Sequence, residues 1–227
     1  MSRVVLKLGG RVATEAAAQA LALRAEGHDV VVVHGAGPQI TAEMERRGIA
    51  PTFVEGRRVT TPAVLEVVRA SLAAVNAQVC AAIGPAALPL FGDGAGLVAT
   101  QVDALGLVGN PVPTAPAAVE SALAAGRIPV VAPLAAREGD GQPLNVNADE
   151  AAAALAVGLG AERIVFVSDV PGVLLEGAVI DHIRADDADR MLGDGTFEGG
   201  IVPKLEAAVL ATRGGVRALI GATEVVA

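Results

Sequence analysis

Short runs of aliphatic residues alternate along the chain with longer segments in which apolar positions recur at helical spacing. The aliphatic runs predict strands at Arg3–Leu8, Asp29–His34, Ala86–Phe91, Ile128–Leu134, Arg163–Ser168 and Arg217–Ile220. The segments between them predict helices at Thr14–Ala25, Pro38–Arg47, Pro62–Ile83, Ala115–Ala125, Asn147–Gly158 and Ile201–Arg213. Strands that alternate with helices form parallel sheets with right-handed crossovers. We therefore predict an α/β fold, a three-layer sandwich whose central, mainly parallel sheet carries helices on both faces. The Ala86–Phe91 and Ile128–Leu134 strands are expected to be buried.

The chain is expected to form a single domain over residues 1–227. Its length suits one substantial α/β domain or two closely fused lobes, and it contains no linker, low-complexity tract or sequence repeat. Three segments add strands outside the main alternation. Phe53–Thr60 predicts a short hairpin, Leu97–Pro113 predicts a β-ribbon, and Glu224–Ala227 predicts a short edge strand.

Composition and charge narrow the class of protein. Hydrophobic residues make up 52% of the chain and aromatic residues only 2%, so the core must be built from Val, Leu, Ile and Ala. The formal net charge is −8, with neither a basic stripe nor an aromatic stacking platform, which argues against a nucleic-acid partner. The single cysteine, Cys80, excludes an internal disulfide and suits a small core residue on a helix.

The first ten residues contain too short an apolar segment for a signal peptide. We also expect no apolar stretch of the chain to be long enough to span a bilayer. These features predict a cytoplasmic protein without a membrane partner.

Three predicted strands end in unusual turns, at the edge of the sheet where open α/β folds bind ligands. The turns are Lys7-Leu8-Gly9-Gly10, His34-Gly35-Ala36-Gly37 and Ser168-Asp169-Val170-Pro171-Gly172. Glycine lets backbone N–H groups approach a phosphate closely, and the N-terminus of the following helix adds positive potential. Any one such turn can contain glycine for backbone reasons alone, but three in one sheet favour a phosphate site.

Familiar nucleotide, metal and nucleophile motifs are missing from the sequence. It contains no G-x-x-x-x-G-K-[ST], and Ile40 stands where a dinucleotide fingerprint starting at Gly35 needs its third glycine. The three histidines are scattered, no His/Cys cluster has zinc spacing, and no serine lies in a nucleophile elbow. We therefore predict no metal site built from side chains.

Lysine occurs only at Lys7 and Lys204, whereas the other basic residues are arginine. A lone lysine in an aliphatic strand is costly to bury unless it meets an anion. A lysine in the first turn of a helix opposes the helix dipole by ~0.3–1 kcal/mol, and a bound anion would reverse that penalty. Lysine is a compact point charge and arginine a planar fork, so these positions suit a function that arginine does not fill. The alternative is that each is a surface lysine retained by chance.

The run Asn145-Val146-Asn147-Ala148-Asp149-Glu150 precedes and opens a predicted helix. Asn147 can cap this helix while Glu150 at the third position completes a capping box, which accounts for those two residues structurally. Alternation places Asn145 and Asn147 on one side of an extended segment, with Asp149 one turn into the helix. Helix capping does not require Asn145 or Asp149, which remain candidates for function.

Six segments in this order resemble the signature of the amino acid kinase family. They are Lys7–Gly10, His34–Gly37, Gly56–Thr60, Asn145–Asp149, Ser168–Leu174 and Gly200–Lys204. The similarity extends from Lys7 to about Val216, and the acetylglutamate kinases are the members that the chain most resembles. The Gly-x-Arg-Val-Thr and Asn-Val-Asn-Ala-Asp runs are the specific motifs, whereas the wider family shares the Lys-x-Gly-Gly turn.

This resemblance implies the fold of that family and a reaction. The expected reaction transfers the γ-phosphoryl group of ATP to the side-chain carboxylate of N-acetyl-L-glutamate, in arginine biosynthesis, with Mg²⁺ carried on the ATP phosphates. The resemblance also implies an amino-acid-substrate lobe over residues 1–135 and a nucleotide-binding lobe over 136–227. It further implies a homodimer, with the Pro62–Ile83 helix as the candidate interface.

The resemblance also assigns roles to individual residues. Lys7 and Lys204 would contact the transferring phosphoryl group, and Asp149 would hold both lysines in place. The substrate and its phosphoryl group would be bound by Gly9, Gly10, Ala36, Gly37, Arg58, Asn145 and Asn147, the glycine turns contributing backbone N–H groups. The nucleotide would be framed by Ser168, Asp169, Val170, Gly172, Leu174 and Phe197.

The chain departs from the family pattern in two places. Ala36 stands where the family usually has a glycine, and its methyl group could narrow the space beside the phosphate. The chain also starts directly at the first strand and has little room for a final helix, so we expect no feedback inhibition by L-arginine.

Two other functions remain open. One is a kinase for a carrier-protein-bound glutamate or aminoadipate in lysine biosynthesis. A net charge of −8 suits an acidic carrier poorly, and relatives of that kind vary at the Asn-Val-Asn-Ala-Asp run. The other is a non-catalytic nucleotide or amino-acid sensor, which would have no need to retain both lysines and Asp149.

Overall fold

The structure is a computed structural model that describes residues 2–9, 13–167 and 170–227, with the backbone alone for residues 13–16. Its strands are β1 (Arg3–Leu8), β2 (Asp29–His34), β3 (Phe53–Val54), β4 (Arg57–Arg58), β5 (Ala87–Phe91), β6 (Val98–Gln101), β7 (Val108–Pro111), β8 (Ile128–Ala132), β9 (Leu134–Arg137), β10 (Pro143–Val146), β11 (Arg163–Val167), β12 (Leu174–Leu175), β13 (Ala178–Val179), β14 (His182–Arg184), β15 (Arg217–Ile220) and β16 (Thr223–Val226). Its helices are α1 (Ala13–Ala25), α2 (Gly37–Arg46), α3 (Pro62–Ile83), α4 (Gly92–Ala95), α5 (Ala117–Ala124), α6 (Ala148–Gly158), α7 (Ala185–Gly193) and α8 (Ile201–Arg213).

The main sheet has β1 near its centre. Among the described residues its order is β14-β16-β15-β11-β1-β2-β8-β5, and every pair from β15 to β5 is parallel. β16 runs antiparallel to β15, and β14 pairs with its other side. Lys7 lies between Val33 of β2 and Phe166 of β11. The predicted α/β fold with a central, mainly parallel sheet is confirmed.

Each face of this sheet packs against its own apolar cluster. One cluster joins β1 and β2 to α1, α2 and α3, and it includes Val4 and Leu6 of β1. The other joins the sheet to α5, α6, α7 and α8, and it includes Val5. Because successive strand residues point to opposite faces, Lys7 lies on the same face as Val5. The alternation along β1 therefore directs the lysine toward α6.

The strands β6, β7, β9 and β10 form a small closed barrel beside the main sheet. The predicted ribbon over Leu97–Pro113 matches the antiparallel β6–β7 pair, but β9 and β10 were not predicted. The expected strand to Leu134 was wrong at its end, since β8 stops at Ala132 and Leu134 begins β9. Gly109 lets the barrel close, because an added Cβ would lie 2.8 Å from the Ala99 Cβ.

Three further expectations about strands and helices differ from the structure. β5 was expected to be a buried strand, but it is an edge strand whose residues are mostly half-exposed. The C-terminal strand is not at the edge, because β14 covers β16. The β12–β13 hairpin, β14 and α7 were not predicted, since short strands and a strongly amphipathic charged helix give no aliphatic run.

The helix α3 is the longest of those described, at 22 residues. Thr61 is its N-cap, accepting a hydrogen bond from the Val64 N–H at 3.3 Å, and Gly84 ends it with φ +82°. By length and composition α3 could cross a membrane, so the expectation that no apolar stretch is long enough was wrong. One side of α3 packs against the sheet, α1 and α2, and core helices of layered proteins commonly meet the same criteria.

Candidate functional site

A cavity of about 310 Å³ lies at the carboxyl ends of β1 and β2. Its walls are the 35–37 turn before α2, the β3–β4 hairpin, the end of β10, the N-terminus of α6 and the first turn of α8. The N-terminal turns of three helices thus meet at one cavity. Exposed N–H groups and helix dipoles make such a place favourable for anions.

The charged side chains that line this cavity are mostly cationic. Among the described residues they are four cations and one carboxylate, namely Lys7, Arg57, Arg58, Lys204 and Asp149. The whole chain carries a net charge of −8, so most of its acidic residues lie outside this cavity. The local excess of positive charge favours a multiply charged anionic ligand.

The central feature of the cavity is a buried ion pair. The Lys7 Nζ lies 2.8 Å from an Asp149 carboxylate oxygen, and both side chains are less than a tenth exposed. Burial lowers the pKa of Lys7, the nearby Lys204 lowers it further, and Asp149 opposes both effects. The strand therefore presents a desolvated cation that is held by one carboxylate and lies near a second cation.

The N-terminus of α6 fixes the position of Asp149. The Asn147 side-chain oxygen accepts hydrogen bonds from the N–H groups of Asp149 at 2.7 Å and Glu150 at 3.3 Å. The 35–37 segment lies against this helix, since a Cβ added at Gly35 would be in ordinary van der Waals contact, at 3.7 Å, with the Ala148 Cβ. The predicted cap at Asn147 agrees with the structure. The Glu150 carboxylate, however, accepts from Arg57 at 2.6 Å, so capping does not account for its side chain.

Lys204 enters the cavity from α8. Its ammonium group donates to the Gly200 carbonyl at 3.1 Å, one turn back along the chain. In the part of the chain that the structure describes, Asp149 pairs with Lys7 and no carboxylate lies within ion-pair distance of Lys204. The structure therefore brings both lysines to one cavity, with the carboxylate in direct contact with only one of them.

Arg58 is a buried cation without a described carboxylate partner. Its guanidinium donates to the Thr41 hydroxyl at 2.8 Å and to the Met44 sulfur at 3.1 Å, and it lies 4.6 Å from the centre of the Phe53 ring. Burial lowers its pKa. A buried guanidinium with neutral neighbours is costly in isolation, and an anionic ligand would offset that cost.

Asn145 connects the barrel to the hairpin. Its side-chain NH₂ donates to the Thr60 hydroxyl at 3.1 Å, and that hydroxyl donates to the Arg58 carbonyl at 2.8 Å. Gly106, with φ +77°, permits this arrangement because an added Cβ would lie 2.6 Å from the Thr60 carbonyl oxygen. Thr60 was not predicted as a site residue, although it ends the Gly56–Thr60 run.

The glycine turns contribute unequally. The Gly9 N–H donates to the Val167 carbonyl at 3.3 Å and so extends the sheet, which leaves it less available to a ligand than expected. Ala36 is the N-cap residue of α2 and lies almost fully buried in the apolar cluster beneath the cavity, and Gly37 begins the helix. The predicted Gly10 lies outside the described residues.

Of the residues expected to frame a nucleotide, those that the structure describes do not line this cavity. Ser168 and Asp169 lie outside the described residues. Gly172 is closely packed, since an added Cβ would lie 2.6 Å from a Val179 methyl group and 2.7 Å from the Thr223 hydroxyl. The remaining three predicted residues, Val170, Leu174 and Phe197, do not line the cavity.

Val170, Leu174 and Phe197 differ in their exposure to solvent. Val170 and Leu174 are exposed in the loop and hairpin after β11, with Leu174 48% exposed, whereas Phe197 is 7% exposed and packs in the core. Of the side chains the structure describes, no three His, Cys, Asp or Glu residues cluster as metal ligands.

His34, the last residue of β2, is a buried histidine directly before the 35–37 turn. Asn76 of α3 lies with its side-chain nitrogen 3.0 Å from the His34 Nε2 and donates to the Val130 carbonyl at 2.9 Å. Burial lowers the pKa of His34 to about 4, so the ring is neutral at pH 7. A neutral Nε2 that accepts from Asn76 leaves the proton on Nδ1, which faces the Gly35 carbonyl at 3.4 Å.

Comparison of sequences gives consistent relatives. Residues 2–222 match the amino acid kinase family. An acetylglutamate kinase from Frankia casuarinae is 42% identical over 94% of this chain, and the chain spans 64% of that relative's length. An acetylglutamate kinase from Geobacillus kaustophilus is 39% identical over 92% of this chain and 84% of its own length.

Two solved structures have the same fold as this chain. The crystal structure of smu.665 from Streptococcus mutans superposes with a TM-score of 0.89 at 27% identity, covering 99% of this chain and 98% of the other. Carbamate kinase from Giardia lamblia superposes with a TM-score of 0.71 at 15% identity, over 96% and 91% of the two chains. At that identity the second likeness shows the fold alone.

Proposed function

Because the chain belongs to the amino acid kinase family, we propose that it transfers the γ-phosphoryl group of ATP to the side-chain carboxylate of N-acetyl-L-glutamate. The family resemblance read from the sequence motifs is confirmed by the match over residues 2–222. The buried Lys7–Asp149 pair, in a cavity that also holds Lys204 and Arg58, is the observation that carries the proposal.

The chemistry of this transfer suits the residues present. A carboxylate is ionised at neutral pH, so its oxygen can attack the γ-phosphorus without a general base. The new oxygen–phosphorus bond forms as the bond to the β–γ bridging oxygen breaks, and that electron pair leaves with ADP. The main obstacle is repulsion between two anions, which positioning and fixed positive charge reduce. Lys7 and Lys204 would supply that charge.

The proposed amino-acid site lies under the β3–β4 hairpin. Arg58 would bind the α-carboxylate, because its buried guanidinium has neutral protein neighbours. Asn145 and Asn147, which line the cavity beside it, would bind the acylated nitrogen and the side-chain carboxylate region. Ala36 and Gly37, at the N-terminus of α2, would lie beside the phosphoryl group, with Gly9 and Gly10 on its other side.

The nucleotide is proposed to lie against the second lobe, residues 136–227. The loop after β11 would frame it through Ser168, Asp169, Val170 and Gly172, with Leu174 on the β12–β13 hairpin. Phe197 would then act by packing behind the site, because its ring is buried. Mg²⁺ would be carried on the ATP phosphates, since the described residues offer no cluster of ligands to hold it independently.

We also propose a homodimer formed through α3. The outward face of this helix carries alanines, including Ala70, Ala73, Ala77 and Ala81, which are exposed in the isolated chain. The neighbouring β5 is the edge strand of the sheet. Small side chains let two helices approach closely, and a two-fold axis would bring the same face of each copy together.

A coupled ADP-release assay tests the proposed reaction. N-acetyl-L-glutamate, N-acetyl-aminoadipate, free glutamate and aspartate are compared in parallel with MgATP. We expect turnover with N-acetyl-L-glutamate and none with free glutamate, because the free amine adds a positive charge beside the arginine and lysines. Arg58→Lys is expected to raise KM for the amino acid far more than KM for ATP, since an ammonium cannot replace a bidentate guanidinium.

Other results of this assay would favour a different function. Equal turnover of free and acetylated glutamate would contradict the substrate assignment. Turnover only of a carrier-bound amino acid would indicate the lysine-biosynthetic alternative. Nucleotide binding without turnover of any substrate would indicate a sensor.

A further inference from the structure

Arg57, the first residue of β4, joins three elements at the rim of the cavity. Its guanidinium donates to the Glu150 carboxylate of α6 at 2.6 Å and to the Asn110 side-chain oxygen of β7. The next residue, Arg58, extends in the other direction, to Thr41 of α2. Adjacent strand residues point to opposite sides, so the two arginines attach the hairpin to elements on either side of the cavity.

The hairpin itself has few other means of stabilisation. β3 and β4 have two residues each and pair with one another in a separate two-stranded sheet. Phe53 and Val54 are about half exposed, so the hairpin has no buried apolar face of its own. An isolated two-stranded hairpin is marginally stable in water. Its position therefore depends on side-chain contacts to its neighbours and on Thr60, two residues after β4, whose backbone is hydrogen-bonded to Leu105 at 2.9 Å and to Leu107 at 2.7 Å.

Glu150 places one of these contacts next to the buried ion pair. It directly follows Asp149, which holds Lys7, and its N–H is capped by Asn147. The side chains of Arg57 and Glu150 are only 27% and 17% exposed. An ion pair with so little solvent is screened less than a surface pair, and breaking it leaves an unpaired charge in a poorly solvated place.

We propose that the Arg57–Glu150 ion pair is a latch that fixes the β3–β4 hairpin to the N-terminus of α6. The latch sets the distance between Arg58, on the hairpin, and the Lys7–Asp149 pair, on the sheet and α6. Arg57 and Glu150 are positioning residues in this arrangement. The kinetic consequence rests on the proposed function, whereas the effect of the latch on hydrogen exchange in the hairpin does not.

The latch matters because the proposed substrate carries two carboxylates. One would bind Arg58 while the other lies near the lysines, so both must be met at a fixed separation. If the hairpin is loose, binding must also order it, and this cost lowers affinity for the amino acid. ATP does not require Arg58, so KM for ATP should change little.

Four variants test the proposal: Glu150→Gln, Arg57→Gln, the exchange Arg57→Glu/Glu150→Arg, and Glu224→Gln as a control. The control removes the ion pair of Glu224 with Arg217 on the outer part of the sheet, at 2.9 Å. Amide hydrogen exchange of residues 53–58 is measured without ligands, and KM values for N-acetyl-L-glutamate and ATP are measured separately. Thermal melts check folding.

Each single latch variant is expected to speed exchange in the hairpin and to raise KM for the amino acid about fivefold, as for a coupled ion pair of modest strength. KM for ATP should stay within about twofold. The charge-swapped double variant Arg57→Glu/Glu150→Arg should recover much of the affinity for the amino acid that the single variants lose. The control should behave as the wild type. If Glu150→Gln is too unstable to assay, Arg57→Gln provides the same comparison from the other side.

Acid provides an independent readout. Burial raises the pKa of Glu150, the carboxylates of Glu206 on α8 and Asp149 on α6 raise it further, and Arg57 opposes them. Protonation should therefore open the latch at a higher pH than for an exposed glutamate. Hairpin exchange, corrected for the intrinsic rate, should increase as pH falls in the wild type but not in Glu150→Gln.

Three outcomes separate the possibilities. Wild-type hairpin exchange and amino-acid KM in both single variants would overturn the latch. A raised amino-acid KM in the single variants that is not recovered in the charge-swapped double variant would also overturn the latch. That result would place Arg57 in contact with the substrate. Absence of turnover in the wild type would reject the proposed function alone, and hairpin exchange would still decide the latch.

Discussion

At the scale of single residues, the two lysines Lys7 and Lys204 both line the cavity. Lys7 is enclosed by strand and helix, and its ammonium already contacts Asp149 at 2.8 Å. An arginine at this position would replace the compact ammonium group with a wider planar fork and so change the contact with Asp149. We therefore expect the shape of the cation, as well as its charge, to matter at this position.

We expect Lys7→Arg and Lys204→Arg each to fold and to bind ATP within a modest factor of the wild type. Each should lower kcat about a hundredfold or more, the loss typical of removing one donor that stabilises a transition state. The double variant should be little worse than the poorer single variant if both act on one phosphoryl group. Steady-state kinetics with thermal melts measure this, and near-normal kcat in either single variant would contradict the assignment.

The sequence pointed to some residues of the candidate site and not to others. The scarcity of lysine drew attention to Lys7 and Lys204, and the structure places both at one cavity. Arg57 and Glu150 gave no such signal, because the chain has many arginines and a glutamate near a helix start has an ordinary capping explanation. Their contact joins residues 93 positions apart, and no local pattern encodes that distance.

At the scale of elements, the two faces of α3 have different surroundings. One is buried against the sheet, and the other shows alanines to solvent. Long helices with a flat, small-residue surface suit close helix–helix contact between copies. This face is where charge should disrupt assembly without disturbing the fold.

We expect the paired substitution Ala73→Glu/Ala77→Glu to convert a dimer to a monomer, because like charges would be buried against their symmetry mates. Ala18→Glu, on the exposed side of α1, is a matched control with the same change of residue. Sedimentation velocity at several concentrations measures the outcome. A wild-type monomer, or a dimer unaffected by the paired change, would contradict an α3 interface.

Elements with strong patterns were predicted well, and short ones were not. β1, β2, α3, α8 and β15 have the bounds expected from aliphatic runs and caps. The barrel strands β9 and β10 and the β12–β13 hairpin have only two to four residues, so periodicity cannot distinguish them from loops. Their pairing depends on partners distant in sequence.

At the scale of the whole molecule, His34 links helix, sheet and site. Through Asn76 it connects α3 to the Val130 carbonyl of β8, beneath the turn that leads to α2. Burial lowers its pKa from 6.5 to about 4. The unfolded chain therefore binds a proton more readily than the folded protein between these values, and stability falls as pH decreases through this range.

We expect the free energy of unfolding to fall by about 2 kcal/mol more in the wild type than in His34→Gln between pH 7 and pH 5. Glutamine retains an oxygen that can accept from Asn76 but has no group that titrates. Urea denaturation at the two pH values measures the difference, which cancels other titrating groups common to both proteins. Equal losses would show that His34 is accessible to protons in the folded state.

The central position of β1 also has a consequence for how the chain is made. β1 is synthesised well before β11, yet the sheet places them side by side, with Leu8 opposite Val167. A nascent chain that has released only its first hundred residues holds β1 with one hydrogen-bonding edge open. Unpaired apolar strand edges recruit other chains, so protection by a chaperone should matter most during this interval. Asp149 leaves the ribosome only shortly before β11, so Lys7 has no carboxylate partner from Asp149 during the same interval.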